Sequence, residues 1–168
     1  MPIRHSIWRV GGLPQALKES QLESEAMLEE MLVAAPDILS PEWMIIERQE
    51  HTGHGGRIDL LALAPDGTLI LIELKCGKTP REVVAQALDY ATWAAALEAQ
   101  DLGRVYARFS NGRDLGQAFR GRFGQPLDED TLNQSHQTVI VAASLEASSE
   151  RIVGHLNRCD IAINVLCF

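Results

Sequence analysis

Basic residues are in the minority here: the chain has 15 Lys and Arg against 23 Asp and Glu, a formal net charge of −8 over 168 residues. That balance excludes a protein that grips nucleic acid over its whole surface, because such binding rests on cationic side chains displacing phosphate counterions. Long apolar runs are missing too. None reaches 18 residues, so no segment is expected to span a membrane. The opening Met1-Pro2-Ile3-Arg4-His5 has no apolar core of the kind a signal peptide needs. Cys76, Cys159 and Cys167 sit at unrelated positions with no CxxC pair, which excludes a disulfide framework and makes a reducing cytoplasm the expected location. Internal repeats, low-complexity tracts and dividing linkers are absent as well.

The remainder is ordinary globular composition, with 46% hydrophobic and 23% charged residues. One domain over 1–168 is expected, with residues 1–19 as an extension, 20–100 as the core and 101–168 completing a sheet. Charge is uneven along it. Residues 1–50 hold Arg4, Arg9, Lys18 and Arg48 against nine acids, whereas 102–125 hold Arg104, Arg108, Arg113, Arg120 and Arg122 against Asp114 alone. That arginine group reads equally as a solvated face or as a local nucleic-acid strip.

A first helix is predicted from Ser20, with Glu23 closing a capping box, to about Ala35 before Pro36. Trp43–Arg48 reads as a strand, and 51–56 as a glycine-rich loop. Ile58–Ala64 and Thr68–Lys75 are apolar on both faces, as central strands covered on two sides are. A helix follows, capped by Thr79 with Pro80 at its first helical position and Glu82 completing a box. Val83, Ala87, Tyr90, Ala94 and Leu97 recur along it at helical spacing. In 101–135 the pattern suggests a strand near Val105–Phe109 and a short helix near Leu115–Arg120. Thr138–Ala143 reads as a strand, Ser149–Cys159 as a helix and Ile161–Leu166 as a closing strand. The expected fold class is α/β, a mixed central sheet flanked by helices in the order α-β-β-β-α-β-α-β.

Within that frame the polar residues of the two central strands stand out. Alternation puts Glu73 and Lys75 on one face, ending the apolar row of Leu69 and Leu71. The loop Pro65-Asp66-Gly67 suits a type I turn followed by a left-handed glycine, which pairs Ala64 with Thr68 and sets Asp59 opposite Glu73. Opposed residues share a face. Two carboxylates on adjacent strands suit a hard cation such as Mg²⁺ or Mn²⁺, which takes oxygen ligands at about 2.1 Å and often only one or two carboxylates. Such a cation activates water and offsets phosphate charge, and a neighbouring lysine orients the water or stabilises developing charge. The plainer reading is a salt bridge at a strand end. Glu25 interrupts the stripe of Leu22, Leu28, Leu32 and Ala35 and is expected to face the sheet, with Glu29 competing for that role. Gln86 and Tyr90 share a helix face at i, i+4.

Glu25, Asp59, Glu73-x-Lys75 and Gln86-x-x-x-Tyr90 together resemble the signature of the PD-(D/E)XK nuclease superfamily, whose core is restriction-endonuclease-like. Within it, GGRIDLLALAPDGTLILIELKCGKTPREVVAQALDYATW is similar to the catalytic domain of NucS-type endonucleases. The resemblance implies that Asp59 and Glu73 are metal ligands with Glu25 assisting, that Lys75 is the catalytic lysine, and that Gln86 and Tyr90 support the site or the DNA backbone. It implies Mg²⁺ or Mn²⁺ as cofactor and DNA as partner, with a homodimer an open option. Candidate phosphate contacts are Arg57, Lys78 and Arg81, the last two beside a helix N-terminus, together with Arg104, Arg108 and Arg120. Arg57 could equally pair with a surface carboxylate. His51 and His54 lack the further ligands of a zinc site. Cys76 should face away from Lys75. The leading expectation is a metal-dependent deoxyribonuclease, and the alternative is a nucleic-acid-binding or assembly module that keeps the fold without turnover.

Overall fold

The computed structural model describes residues 7–9, 12–13, 15–17, 22–53 and 55–168. A short antiparallel ribbon comes first, β1 (Ile7–Arg9) paired with β2 (Gln15–Leu17), where the sequence pattern suggested no strand. Then come α1 (Glu25–Ala34), a single 3₁₀ turn, the strands β3 (Met44–His51), β4 (Arg57–Leu63) and β5 (Leu69–Thr79), and the helices α2 (Arg81–Ala94), α3 (Ala99–Phe109) and α4 (Leu115–Phe123). The chain closes with β6 (His136–Leu145), α5 (Ala147–Arg158) and β7 (Ile163–Cys167).

The five later strands form one mixed sheet in the order β3-β4-β5-β6-β7. The first three make an antiparallel meander, and β6 and β7 join in parallel, each reached through helical crossovers. The expected turn is present. Ala64 N–H donates to Thr68 O at 3.0 Å, Asp66 Oδ1 accepts from Thr68 N–H at 3.0 Å, and Gly67 takes φ +83°, a conformation a Cβ disfavours. This turn sets the β4–β5 register, Leu63 opposite Leu69 through Leu60 opposite Ile72. Both faces of the pair are buried, as the double apolar pattern required. Leu28 and Leu32 of α1 cover Leu60, Ala62, Ile70 and Ile72 on one side. Tyr90 and Ala94 of α2, with Leu102, Val105 and Tyr106 of α3, cover Leu61, Leu63, Leu69 and Leu71 on the other.

Among the departures from the sequence pattern, four have a clear physical reason. The first helix starts at Glu25, and its cap is Ser24, whose hydroxyl accepts from Met27 N–H at 3.1 Å; Ser20 lies outside the described residues. Ser24 offers the same oxygen one turn later. Thr79 ends β5, paired with Leu145, and its carbonyl accepts from Ser149 Oγ at 3.0 Å, so the cap of α2 falls to Pro80. The suggested strand at Val105–Phe109 is the second half of α3. Leu102, Val105 and Tyr106 bury one helical stripe, and Glu98 and Asp101 form a capping box, so tertiary burial overrides the β preference of Val, Tyr and Phe. Finally, β5 does not stop at Lys75 but continues through a bulge to Thr79.

Candidate metal and catalytic site

The β4–β5 ladder stops at Leu60–Ile72, one step short of the position where Asp59 would oppose Glu73. The register therefore delivers both carboxylates to the same end of the pair, and there the strands splay. Ile58, which alternation would place beside Leu60, packs instead with Leu61 and Leu63, so β4 rolls over at Asp59. The Asp59 carboxylate bridges the opening, with Oδ2 accepting from Leu74 N–H at 2.8 Å. A strand N–H that the ladder has abandoned thus keeps a partner. From the other side, Gln49 Nε2 donates to Asp59 Oδ1 at 3.3 Å.

Glu73 is the buried member of the group, 2% exposed. Its Oε1 accepts from Lys75 Nζ at 2.7 Å, whereas Oε2 is buried with no hydrogen-bond partner. Burial pushes the Glu73 carboxyl up to about 7; the Lys75 hydrogen bond opposes this, and the negative charges of Asp59 and Glu25 add to it. Lys75 Nζ also lies 3.8 Å from Glu25 Oε1, on the first turn of α1. Burial works against the Lys75 ammonium, but Glu73, Glu25 and Asp59 together outweigh it and the net shift is upward. Lys75 therefore carries the positive charge of the cluster. With its side chain 24% exposed, it is also reachable by a ligand.

Beyond Lys75 the strand bulges. Lys75 pairs with Ala142 and Lys78 with Ser144, so three steps on β5 match two on β6. The extra residue reverses the alternation and sets Lys78 on the face of Lys75, where regular pleating would have placed it opposite. Cys76 packs partly buried against the cluster beneath α1, as expected of the residue after Lys75. Burial and then the charge of Glu25 push its thiol up, against the opposing effect of Lys75, and this net shift disfavours the thiolate.

Oxygen donors of this kind fit a hard divalent cation. One Glu73 oxygen is orphaned and Asp59 stands on the adjoining strand with Glu25 in electrostatic range, a donor set that would suit a cation, whose charge would draw the Glu73 carboxyl back down from about 7. Among the described residues no group of three or more His, Cys, Asp or Glu side chains is assembled to hold a metal. A Mg²⁺-type ion does not require one, since one or two carboxylates suffice when water and phosphate complete the shell.

Gln86 and Tyr90 act on the backbone beside the carboxylates. The Tyr90 hydroxyl donates to Arg57 O at 2.8 Å and accepts from Gln86 Nε2 at 2.5 Å and from Arg57 N–H at 3.3 Å. The pair ties α2 to the start of β4, two residues from Asp59. Gly56 makes this possible, because a Cβ there would fall 2.5 Å from the Tyr90 ring.

Of the two α1 carboxylates singled out above, Glu25 is half-exposed and Glu29 is buried. Glu29 Oε1 lies 2.9 Å from Arg48 Nε, and Oε2 accepts from Gln49 Nε2. Gln49 was not singled out from the sequence, where a polar residue in a strand carries no mark. The candidate cations differ in their pairing. Arg57, Lys78 and Arg120 are exposed with no salt bridge among the described residues, whereas Arg81 pairs with Glu82 and Arg104 with Asp101. Arg108 reaches Glu50 at 2.5 Å and Glu47 at 3.7 Å, which fastens α3 to β3. His51 is exposed at the end of β3, and His54 lies outside the described residues.

No family model and no curated protein matches the chain. Solved structures do. A repair endonuclease from Pyrococcus abyssi superposes with a TM-score of 0.53 at 16% identity, over 90% of this chain and 49% of that one. A complex of EndoMS with dsDNA gives 0.53 at 14% identity, over 97% and 64%, and EndoMS in its apo form 0.50 at 17%, over 92% and 51%. The chain spans about half to two-thirds of the length of these neighbours. The likeness establishes the fold, that of a NucS-like nuclease, in agreement with the resemblance carried by the sequence motif.

Proposed function

We propose that this chain is a metal-dependent nuclease that hydrolyses DNA phosphodiester bonds. The observation that carries the reading is the buried Glu73 carboxyl, one oxygen on Lys75 and the other unpartnered, with Asp59 and Glu25 in electrostatic range. Asp59 and Glu73 would hold Mg²⁺ or Mn²⁺, with Glu25 assisting. When bound, such a cation supplies Lewis-acid polarisation of the phosphodiester and offsets its negative charge. Lys75, pinned between Glu73 and Glu25, presents an ammonium to an oxygen of the reacting phosphate and stabilises charge as it develops. Gln86 and Tyr90 hold the Arg57 peptide and with it the approach of β4 to Asp59. Arg57 and Lys78, exposed and unpaired near the cluster, suit the flanking phosphates. DNA as substrate is supported by the fold shared with repair endonucleases, one of them solved on dsDNA.

The test is cleavage of single-stranded, duplex and branched DNA with Mg²⁺ or Mn²⁺, with EDTA and the Glu73→Ala variant as controls. Metal-dependent cleavage lost in the variant is expected. Cleavage indifferent to both controls, or none on any substrate, removes the reading. A second reading, a DNA-binding module without turnover, draws on the lack of an assembled three-ligand group among the described residues. It predicts metal-independent DNA binding that weakens on Arg104→Ala, Arg108→Ala or Arg120→Ala.

A further inference from the structure

Two consecutive residues of β3, Arg48 and Gln49, both reach Glu29 on α1. A regular strand forbids this, because successive side chains point to opposite faces. The chain achieves it by placing Gln49 at φ +57°, the left-handed region that a glutamine adopts only at an energetic cost. The irregularity sits at a defined place. Arg48 pairs with Leu60 and Glu50 with Ile58, so Gln49 lies between them, facing Asp59, the residue at which β4 itself rolls over. The Gln49 amide nitrogen donates to both Glu29 Oε2 and Asp59 Oδ1. An amide oxygen in that place would face two carboxylates, so the orientation of the group is decided by charge. Asp59 is then held from both sides, by Gln49 at one oxygen and by Leu74 N–H at the other.

We infer that Gln49 is a positioning residue, strained into the left-handed conformation so that its amide, anchored on the buried Glu29, fixes the Asp59 carboxylate for the site. The inference rests on the proposed metal-dependent reading for its consequence in catalysis, but not for its geometry. Strain retained beside a candidate site is the pattern expected where the surrounding fold over-determines a functional conformation. Partners that orient a ligand from behind typically govern metal affinity or activity by about 10–100-fold.

The test compares Gln49→Gly with the native chain. Glycine accepts φ +57° without strain, so the variant should melt at the same temperature or higher, which separates positioning from mere support of the strand. Amide hydrogen exchange at Leu74 should accelerate at least about tenfold, because the carboxylate that accepts this N–H is no longer steadied, while the amides of Leu71 and Ile72 keep native protection. Mn²⁺ titration by calorimetry should show about 10–100-fold weaker binding, with kcat on DNA reduced and KM nearly unchanged. Unchanged exchange at Leu74 overturns the inference whether or not the protein binds metal, and so does Mn²⁺ affinity equal to the native value. A native protein that binds no Mn²⁺ overturns the metal-dependent reading instead, and the exchange rate at Leu74 alone then decides the role of Gln49. Gln49→Ala, which removes the amide but keeps the strain, should show the same loss at Leu74 with a lower melting temperature than Gln49→Gly.

Discussion

The two ends of the β4–β5 pair are a few residues apart and follow opposite rules. From Leu60 to Leu63, against Leu69 to Ile72, the strands are paired residue by residue and both faces are apolar and buried. At Asp59, against Glu73 and Lys75, the ladder has opened, charged side chains gather, and the neighbouring strand residue Gln49 has a left-handed backbone. The first end lowers free energy by removing apolar surface from water. The second spends part of that stability on a buried acid with an unpartnered oxygen. The regularly paired end holds the charged end in register, and the contrast separates what the fold needs from what the site needs.

That separation can be broken experimentally. Glu73→Ala and Lys75→Ala should each reduce metal-dependent DNA cleavage about a thousandfold, roughly 4 kcal/mol of transition-state stabilisation, with the circular-dichroism spectrum unchanged. Cleavage within a few-fold of native would place the chemistry elsewhere. Leu71→Ala, at the paired end, should destabilise the fold by about 3 kcal/mol in urea unfolding through the cavity it leaves, while any activity of the folded fraction is retained.

Glu73→Gln should do the reverse. Because burial raises the Glu73 carboxyl from 4.5 to about 7, its contribution to stability is fully present below pH 4.5 and is lost as pH rises through about 7. The full shift corresponds to roughly 3 kcal/mol, and the weaker bond from Lys75 to a neutral amide reduces the expected gain to about 2 kcal/mol at pH 8, with none near pH 4. Thermal melts of the two proteins across that range, with metal removed, read the difference directly; a gap that does not widen with pH contradicts it. The smallest effect expected is that of Tyr90→Phe, about 1 kcal/mol in unfolding free energy, since Arg57 O loses its hydroxyl donor.

Much of the frame was legible in the residues. The double apolar pattern of 58–64 and 68–75 marked central strands, and the Pro65-Asp66-Gly67 turn specified the register that brings Asp59 to the level of Glu73. The helix signals were less secure at their edges. Ser20 and Thr79 have good capping chemistry, but Ser24 and Pro80 hold the caps, because packing and sheet pairing choose among competing local options. Val105–Phe109 misled for the same reason, its β-branched and aromatic residues being equally suited to the buried stripe of a helix. At the site, alternation correctly joined Glu73 to Lys75 but ranked Glu25 above Glu29 for burial, and it had no means of finding Gln49.

The sequence by itself determined the order and register of the central strands and the set of charged residues at one end of them, because those follow from periodicities of two and 3.6 and from a turn whose glycine has few alternatives. Only the tertiary structure decided where the ladder opens, which α1 carboxylate is buried, and that β5 bulges to bring Lys78 round to the face of Lys75. Those features depend on departures from regular geometry. Such departures are stabilised by contacts between residues distant in the chain, Glu29 with Gln49 and Asp59 with Leu74, and no local pattern records them.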